Sequence, residues 1–151
     1  MLIDVYTRPY RVTSDGILAV YDDNRSEWMS VSRDKYIFSG NYKNVTGPRY
    51  LCGPNDVASN NGGYLIQNNS IITSITVCAK EIGTASFQMR VKRGGAVVDI
   101  ASLLSVVGES QEMWQNTSYD LQANDVLKLQ MTVGEMSYPT VIVEAAMKIT
   151  F

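Results

Sequence analysis

Histidine is absent from this 151-residue chain, and that absence prunes more function classes than any other feature of the composition. Without an imidazole there is no general base for a serine or cysteine triad. There is no histidine ligand for zinc either, and two cysteines are too few for a four-thiolate site. Positive charge is also scarce: 13 Lys and Arg face 15 Asp and Glu, for a net charge of −2. No bulk field is available to hold a phosphate backbone, so nucleic acid is not expected as a partner. No apolar run approaches the roughly 20 residues of a membrane-spanning helix, so no membrane insertion is expected. The opening stretch from Met1 to Pro9 has no basic segment leading into an apolar one, so no signal peptide is expected. With no nucleophile motif and no cofactor fingerprint, the chain reads as a non-enzyme without cofactors.

What is present fits one globular domain with a short appendage. The hydrophobic fraction is 45% and the charged fraction 19%, close to the globular average. Apolar residues recur with a period of two, the mark of strands with one face on a core. Phe87, Met89 and Val91 share one face of a run ending at Lys92, and Leu127, Leu129, Met131 and Val133 share another. The last run sets Val141, Val143, Ala145, Met147, Ile149 and Phe151 inward. In the run from Ile71 to Lys80 the expected inner face is Ile71, Thr73, Ile75, Val77 and Ala79. Ile72, Val126 and Ile142 then fall on nominally outward faces, where a subunit contact would cover them. The only segment with any helical character, Asp99 to Val107, is rich enough in β-branched residues to suit a strand as well. Arg93-Gly94-Gly95 reads as a hairpin turn, because glycine supplies positive φ.

The first 40 residues read separately. Ile17 to Tyr21 and Trp28 to Ser32 flank the polar turn Asp22 to Glu27, which predicts a hairpin. A lone hairpin is marginal in water, so it leans either on its own sandwich or on a neighbouring protein. Ser39 to Gly63, rich in Gly, Asn, Pro and Ser, reads as loop or linker. The resulting division is 1–45 for an N-terminal attachment arm, 46–62 for the linker and 63–151 for the sandwich. Cys52 and Cys78 are expected as free thiols.

Two acidic groups invite chemistry and are read otherwise. Asp22, Asp23, Asn24 and Glu27 lack the spacing of a calcium loop and serve turn geometry. Glu109, Glu112, Asp120 and Asp125 are read as solvated surface, since spacing in sequence does not fix the separation that glycosidase chemistry needs. The aromatics carry more information. Nine tyrosines and two tryptophans suit interfaces, because a polar tip tolerates water. Tyr10, Tyr21, Trp28, Met29 and Tyr36 are the expected docking anchors of the arm. Trp114 with Gln115 and Asn116 is the candidate for stacking a glycan.

The stretch from Gly63 to Phe151 resembles small jelly-roll domains of tailed-phage virion proteins: capsid decoration proteins, head fibres and fibre tips. The residues that carry the likeness run in order through Gly63-Tyr64-Leu65-Ile66, Ile72 to Val77, Phe87 to Gly95, Tyr119 to Leu127 and Tyr138 to Glu144. Ala123-Asn124-Asp125-Val126-Leu127 matches a turn in which these domains usually place glycine at the position of Asn124, and asparagine tolerates the same positive φ. Asp15 to Asp22 and Trp28 to Arg33 are similar to an attachment segment of such proteins. The resemblance implies an all-β antiparallel sandwich of jelly-roll, TNF-like form, preceded by the hairpin arm. It further implies a homotrimer located on the virion, made in the host cytoplasm and docked on major capsid or other virion proteins. The alternative it leaves open is a receptor- or glycan-binding module at a tail-fibre tip, with a host surface glycan as partner.

Overall fold

The computed structural model describes residues 9–40, 48–54, 62–79, 83–107, 112–134 and 138–151. The side chains of 83–84, 103–107, 112–116 and 133–134 are not described. The protein is all-β and antiparallel, with no α-helix among the described residues. Its strands are β1 (Tyr10–Val12), β2 (Leu18–Asp22), β3 (Glu27–Ser30), β4 (Asp34–Ser39), β5 (Arg49–Tyr50) and β6 (Tyr64–Leu65). They continue as β7 (Ser70–Cys78), β8 (Gly83–Arg93), β9 (Ala96–Val107), β10 (Glu112–Leu121), β11 (Val126–Gly134) and β12 (Thr140–Ile149).

Two sheets enclose one main core. The first runs β1-β2-β3-β12-β7-β10, with β4 also on β12; the second runs β5-β11-β8-β9, with β6 also on β11. The period-two runs supply the core as expected. Phe87, Met89 and Val91 from β8, Leu127, Leu129 and Met131 from β11, and Val141, Val143 and Ala145 from β12 are all buried. Asp99 to Val107 is strand, and Gly94 (φ 56°) and Gly95 (φ 86°) make the two-residue turn that joins β8 to β9.

Three expectations need correction. β4 does not belong with a detachable arm: Asp34 to Ser39 pairs with β12 over Ala145 to Thr140, and Phe38 is buried in the main core. The expected 46–62 linker likewise contributes to the sandwich at its described positions, where β5 pairs with β11 and Leu51 is core. The third concerns faces. The pairing of β12 with β7 skips Thr73 between Ser74 and Ile72, a bulge that shifts the faces of the residues before it on β7. Ile72 therefore lies in the main core instead of facing outward, while Ile71 and Ala146 pack with Met29 on the opposite face. Phe151, expected inward, is exposed. A bulge shifts the alternation by one residue, so a pattern read straight through it assigns the wrong face.

Both cysteines are free, and the Cys78 thiol sits 3.6 Å from the Thr140 carbonyl oxygen. Close packing around β11 makes one glycine indispensable. A Cβ on Gly63 (φ 150°) would lie 2.6 Å from both the Leu127 carbonyl oxygen and Val126 Cγ1. Gly63→Ala is expected to cost at least about 2 kcal/mol through backbone strain and this collision. Urea denaturation would measure it, and an unchanged midpoint would contradict the packing described.

Candidate docking site

β1, β2 and β3 form a meander that extends the first sheet beyond β4. Only Trp28 and Met29 pair with β12, opposite Ile149 and Lys148. The meander leans on its own sandwich, which decides a question the sequence left open. Met29 is 1% exposed and packs on Ile71 and Ala146. The hairpin tip is tied down as well. Asp22 Oδ2 accepts from Arg25 Nη1 at 2.6 Å, and Arg25 Nε donates to the Thr117 carbonyl oxygen on β10 at 3.1 Å. Lys148 Nζ stands 3.1 Å from Glu27 Oε1 and 2.6 Å from Asp120 Oδ1. Burial raises the Asp22 carboxyl, but the Arg25 hydrogen bonds and charge outweigh it and leave the group below its ordinary value.

Strand alternation gives the meander two faces. Tyr10, Val12, Leu18, Val20 and Met29 share one, as the pairs Tyr10↔Val20, Val12↔Leu18 and Val20↔Met29 require. Its Met29 end is covered. Its other end overhangs: Tyr10 is 48% and Val12 64% exposed, and Leu18 is exposed beside them. The opposite face carries an aromatic group, with Trp28 edge-on to Tyr21 at 5.5 Å and to Phe151 at 5.1 Å. The Arg11 guanidinium lies 4.9 Å from the Trp28 ring centre.

Among the described residues, β1 has no strand on its far edge. Tyr21 N–H donates to the Pro9 carbonyl oxygen at 3.3 Å and Thr13 N–H to that of Ile17 at 2.9 Å. Antiparallel alternation then directs the main-chain groups of Tyr10 and Val12 away from β2. An exposed strand edge with apolar side chains is a template for another strand.

The five expected anchors divide accordingly. Tyr10 is exposed on the overhanging face. Tyr21 and Trp28 are half-buried within the aromatic group. Met29 is core, so it is not available to a partner in this fold. Tyr36 packs against the main core with its ring 5.3 Å from Tyr64; burial first, then the Asp34 charge, pushes its phenol up. Val12, Leu18 and Arg11 were missed. Asp15-Gly16 between apolar neighbours was the available signal, since that dipeptide marks hairpins. Trp114 and Gln115 lie on β10 opposite Ile75 and Ser74. Their side chains, with that of Asn116, are outside the described residues. Tyr6 and Tyr42 lie outside them altogether.

Of the acidic residues, Glu109 and the Glu112 side chain lie outside the described residues, Asp120 is exposed, and Asp125 differs from expectation. Asp125 is not surface: it is 1% exposed, gripped by Arg93 through Nε–Oδ1 at 2.8 Å and Nη2–Oδ2 at 2.7 Å. Its Oδ2 also accepts from Gln122 N–H at 2.8 Å, closing the turn that contains Asn124 (φ 72°). No group of three or more metal-ligating residues occurs among the described residues. The site and fold thus define an antiparallel two-sheet protein with an overhanging apolar strand edge. Neither a protein-family model nor a curated protein matches the chain.

Proposed function

We propose that this chain is a non-enzymatic structural component of a phage virion, a capsid decoration or head-fibre protein. In this reading it forms a homotrimer and docks on major capsid or other virion proteins through β1–β3. The observation that carries the reading is strand order. Setting aside β1–β3 and the short β6, the sheets read β4-β12-β7-β10 and β5-β11-β8-β9. From β4 onward the chain passes between sheets at β4–β5, β6–β7, β7–β8, β9–β10, β10–β11 and β11–β12. Eight strands wound in this manner correspond to a jelly roll, two Greek keys folded on each other, and that is the form the resemblance to virion proteins implies. The meander is additional to those eight strands, and its overhanging face supplies what a docking element needs. Tyr10, Val12 and Leu18 offer an apolar anchor, and the β1 edge offers main-chain groups for strand addition.

Light scattering of the purified protein tests the assembly. The expected mass is about three times the 16.7 kDa of one chain and independent of dilution, as closed rotational symmetry gives. A concentration-independent monomer would contradict the trimer. Val12→Asp with Leu18→Asp is expected to leave the protein folded at a modestly lower melting temperature, since both side chains are exposed but the two new carboxylates face each other across β1 and β2.

A further inference from the structure

The outer face of the second sheet carries a row of charges unlike the rest of the molecule. Register places Lys128 of β11 opposite Arg90 of β8, and Arg90 opposite Asp99 of β9; Lys92 lies one row along. Three cations thus meet one carboxylate, on a chain whose net charge is −2. Arg90 Nε contacts Asp99 Oδ1 at 2.6 Å, and its Nη1 donates to the Tyr50 hydroxyl at 3.2 Å. Lys128 is the anomaly. It is 2% exposed, and its amine lies 5.6 Å from the centre of the Tyr50 ring. Among the described residues no carboxylate pairs with it. Burial, then the charges of Lys92 and Arg90, depress its pKa. The Lys128 stem is covered but its amine is not a fully enclosed group without a partner, so a third positive charge stands beside Arg90 and Lys92, and such a concentration of one sign is often retained where a site needs the charge.

The next row on the same face is uncharged and hydrogen-bonding: Tyr50, Gln130, Gln88 and Ser102 stand side by side across four strands. Ser102 Oγ donates to Gln88 Oε1 at 2.6 Å, and Gln88 Nε2 donates to the Ala101 carbonyl oxygen at 2.9 Å. We propose that this face binds an anionic saccharide, with Lys92, Arg90 and Lys128 holding its carboxylate or sulfate and the Tyr50-Gln130-Gln88-Ser102 row its hydroxyls. Amides and hydroxyls at this density match sugar hydroxyls better than the apolar centre of a protein interface. The overall negative charge disfavours a nucleic acid. The surface belongs to the sheet that lacks β1–β3, so it does not depend on the docking role proposed above.

The test is a titration of the full-length protein at low salt with oligogalacturonate, with dextran sulfate, with neutral dextran and with duplex DNA. Binding of either anionic saccharide is expected, with neutral dextran and DNA at least about tenfold weaker. Lys92→Glu should weaken it by about tenfold or more, the loss of a charge-assisted contact. Lys128→Met should also weaken it, by removing one of the three positive charges. The proposal is overturned if neither anionic saccharide binds, if DNA binds as tightly, or if Lys92→Glu has no effect.

Discussion

Arg93→Ala is expected to destabilise the protein by about 3–5 kcal/mol at neutral pH, the cost of leaving a buried carboxylate without its partner. Asp125 has almost no exposure, so water cannot replace the guanidinium that grips both its oxygens. The turn around it also depends on this carboxylate, through Gln122 N–H, and Ile66 N–H donates to the Asp125 carbonyl oxygen at 2.8 Å. Loss of the pair would therefore loosen the β10–β11 turn and the β6 segment together. The pH dependence has a definite sign. Burial raises the Asp125 carboxyl, but the Arg93 and Gln122 hydrogen bonds and the Arg93 charge outweigh it, so the folded pKa lies below the ordinary aspartate value. A depressed folded pKa means the unfolded state binds more protons, so this stabilisation is complete above about pH 5 and fades as pH falls below about 4. The difference between wild type and Arg93→Ala should accordingly shrink from pH 7 to pH 3 in urea denaturation. An equal difference at both values would mean that the pair contributes no charge-dependent stability.

The second large effect separates two truncations. Removing residues 1–33 takes away β1–β3 but leaves every strand of the two-sheet sandwich. The remaining chain is expected to fold with a lower melting temperature, because Ile71 and Ala146 lose the cover of Met29 and Lys148 loses Glu27. Removing residues 1–40 also takes β4 and its six-residue pairing with β12, together with Phe38. Deleting a buried phenylalanine side chain alone costs about 3–5 kcal/mol, comparable to the whole stability of many domains. This longer truncation is expected to be unfolded by circular dichroism and amide dispersion. Equal folding of both forms would mean that β4 is dispensable, contrary to its place beside β12. Only the shorter truncation is a fair probe of docking, since the longer one confounds attachment with folding.

The strand faces were legible wherever alternation ran uninterrupted, as at Phe87 to Val91 and Leu127 to Met131. Legibility ended at the bulge beside Ala145. The extra residue there is Thr73 of β7, which has no partner on β12 and lets Ile71 and Ile72 both be buried, on opposite sides. β5 was hidden because two residues, Arg49 and Tyr50, carry no periodicity. The site was less readable than the fold. Composition identified an aromatic-rich N-terminus but could not say whether Met29 and Tyr36 cover this chain's own core or a partner's, since the same amphipathic side chains suit both. Arg90, Lys92 and Lys128 become neighbours only through the β8–β11 register. No linear pattern joins positions 36 or more residues apart across two strands.

We propose that the overhanging face of β1 and β2 attaches this protein to a phage particle. The most direct test is quantitative mass spectrometry of density-banded particles from the producing lysate, for wild type and for Val12→Asp with Leu18→Asp. Wild type is expected at a fixed copy number per particle, with the double variant absent from the particles though folded in the soluble fraction. Wild type missing from the particles, or the double variant present at the same copy number, would contradict it.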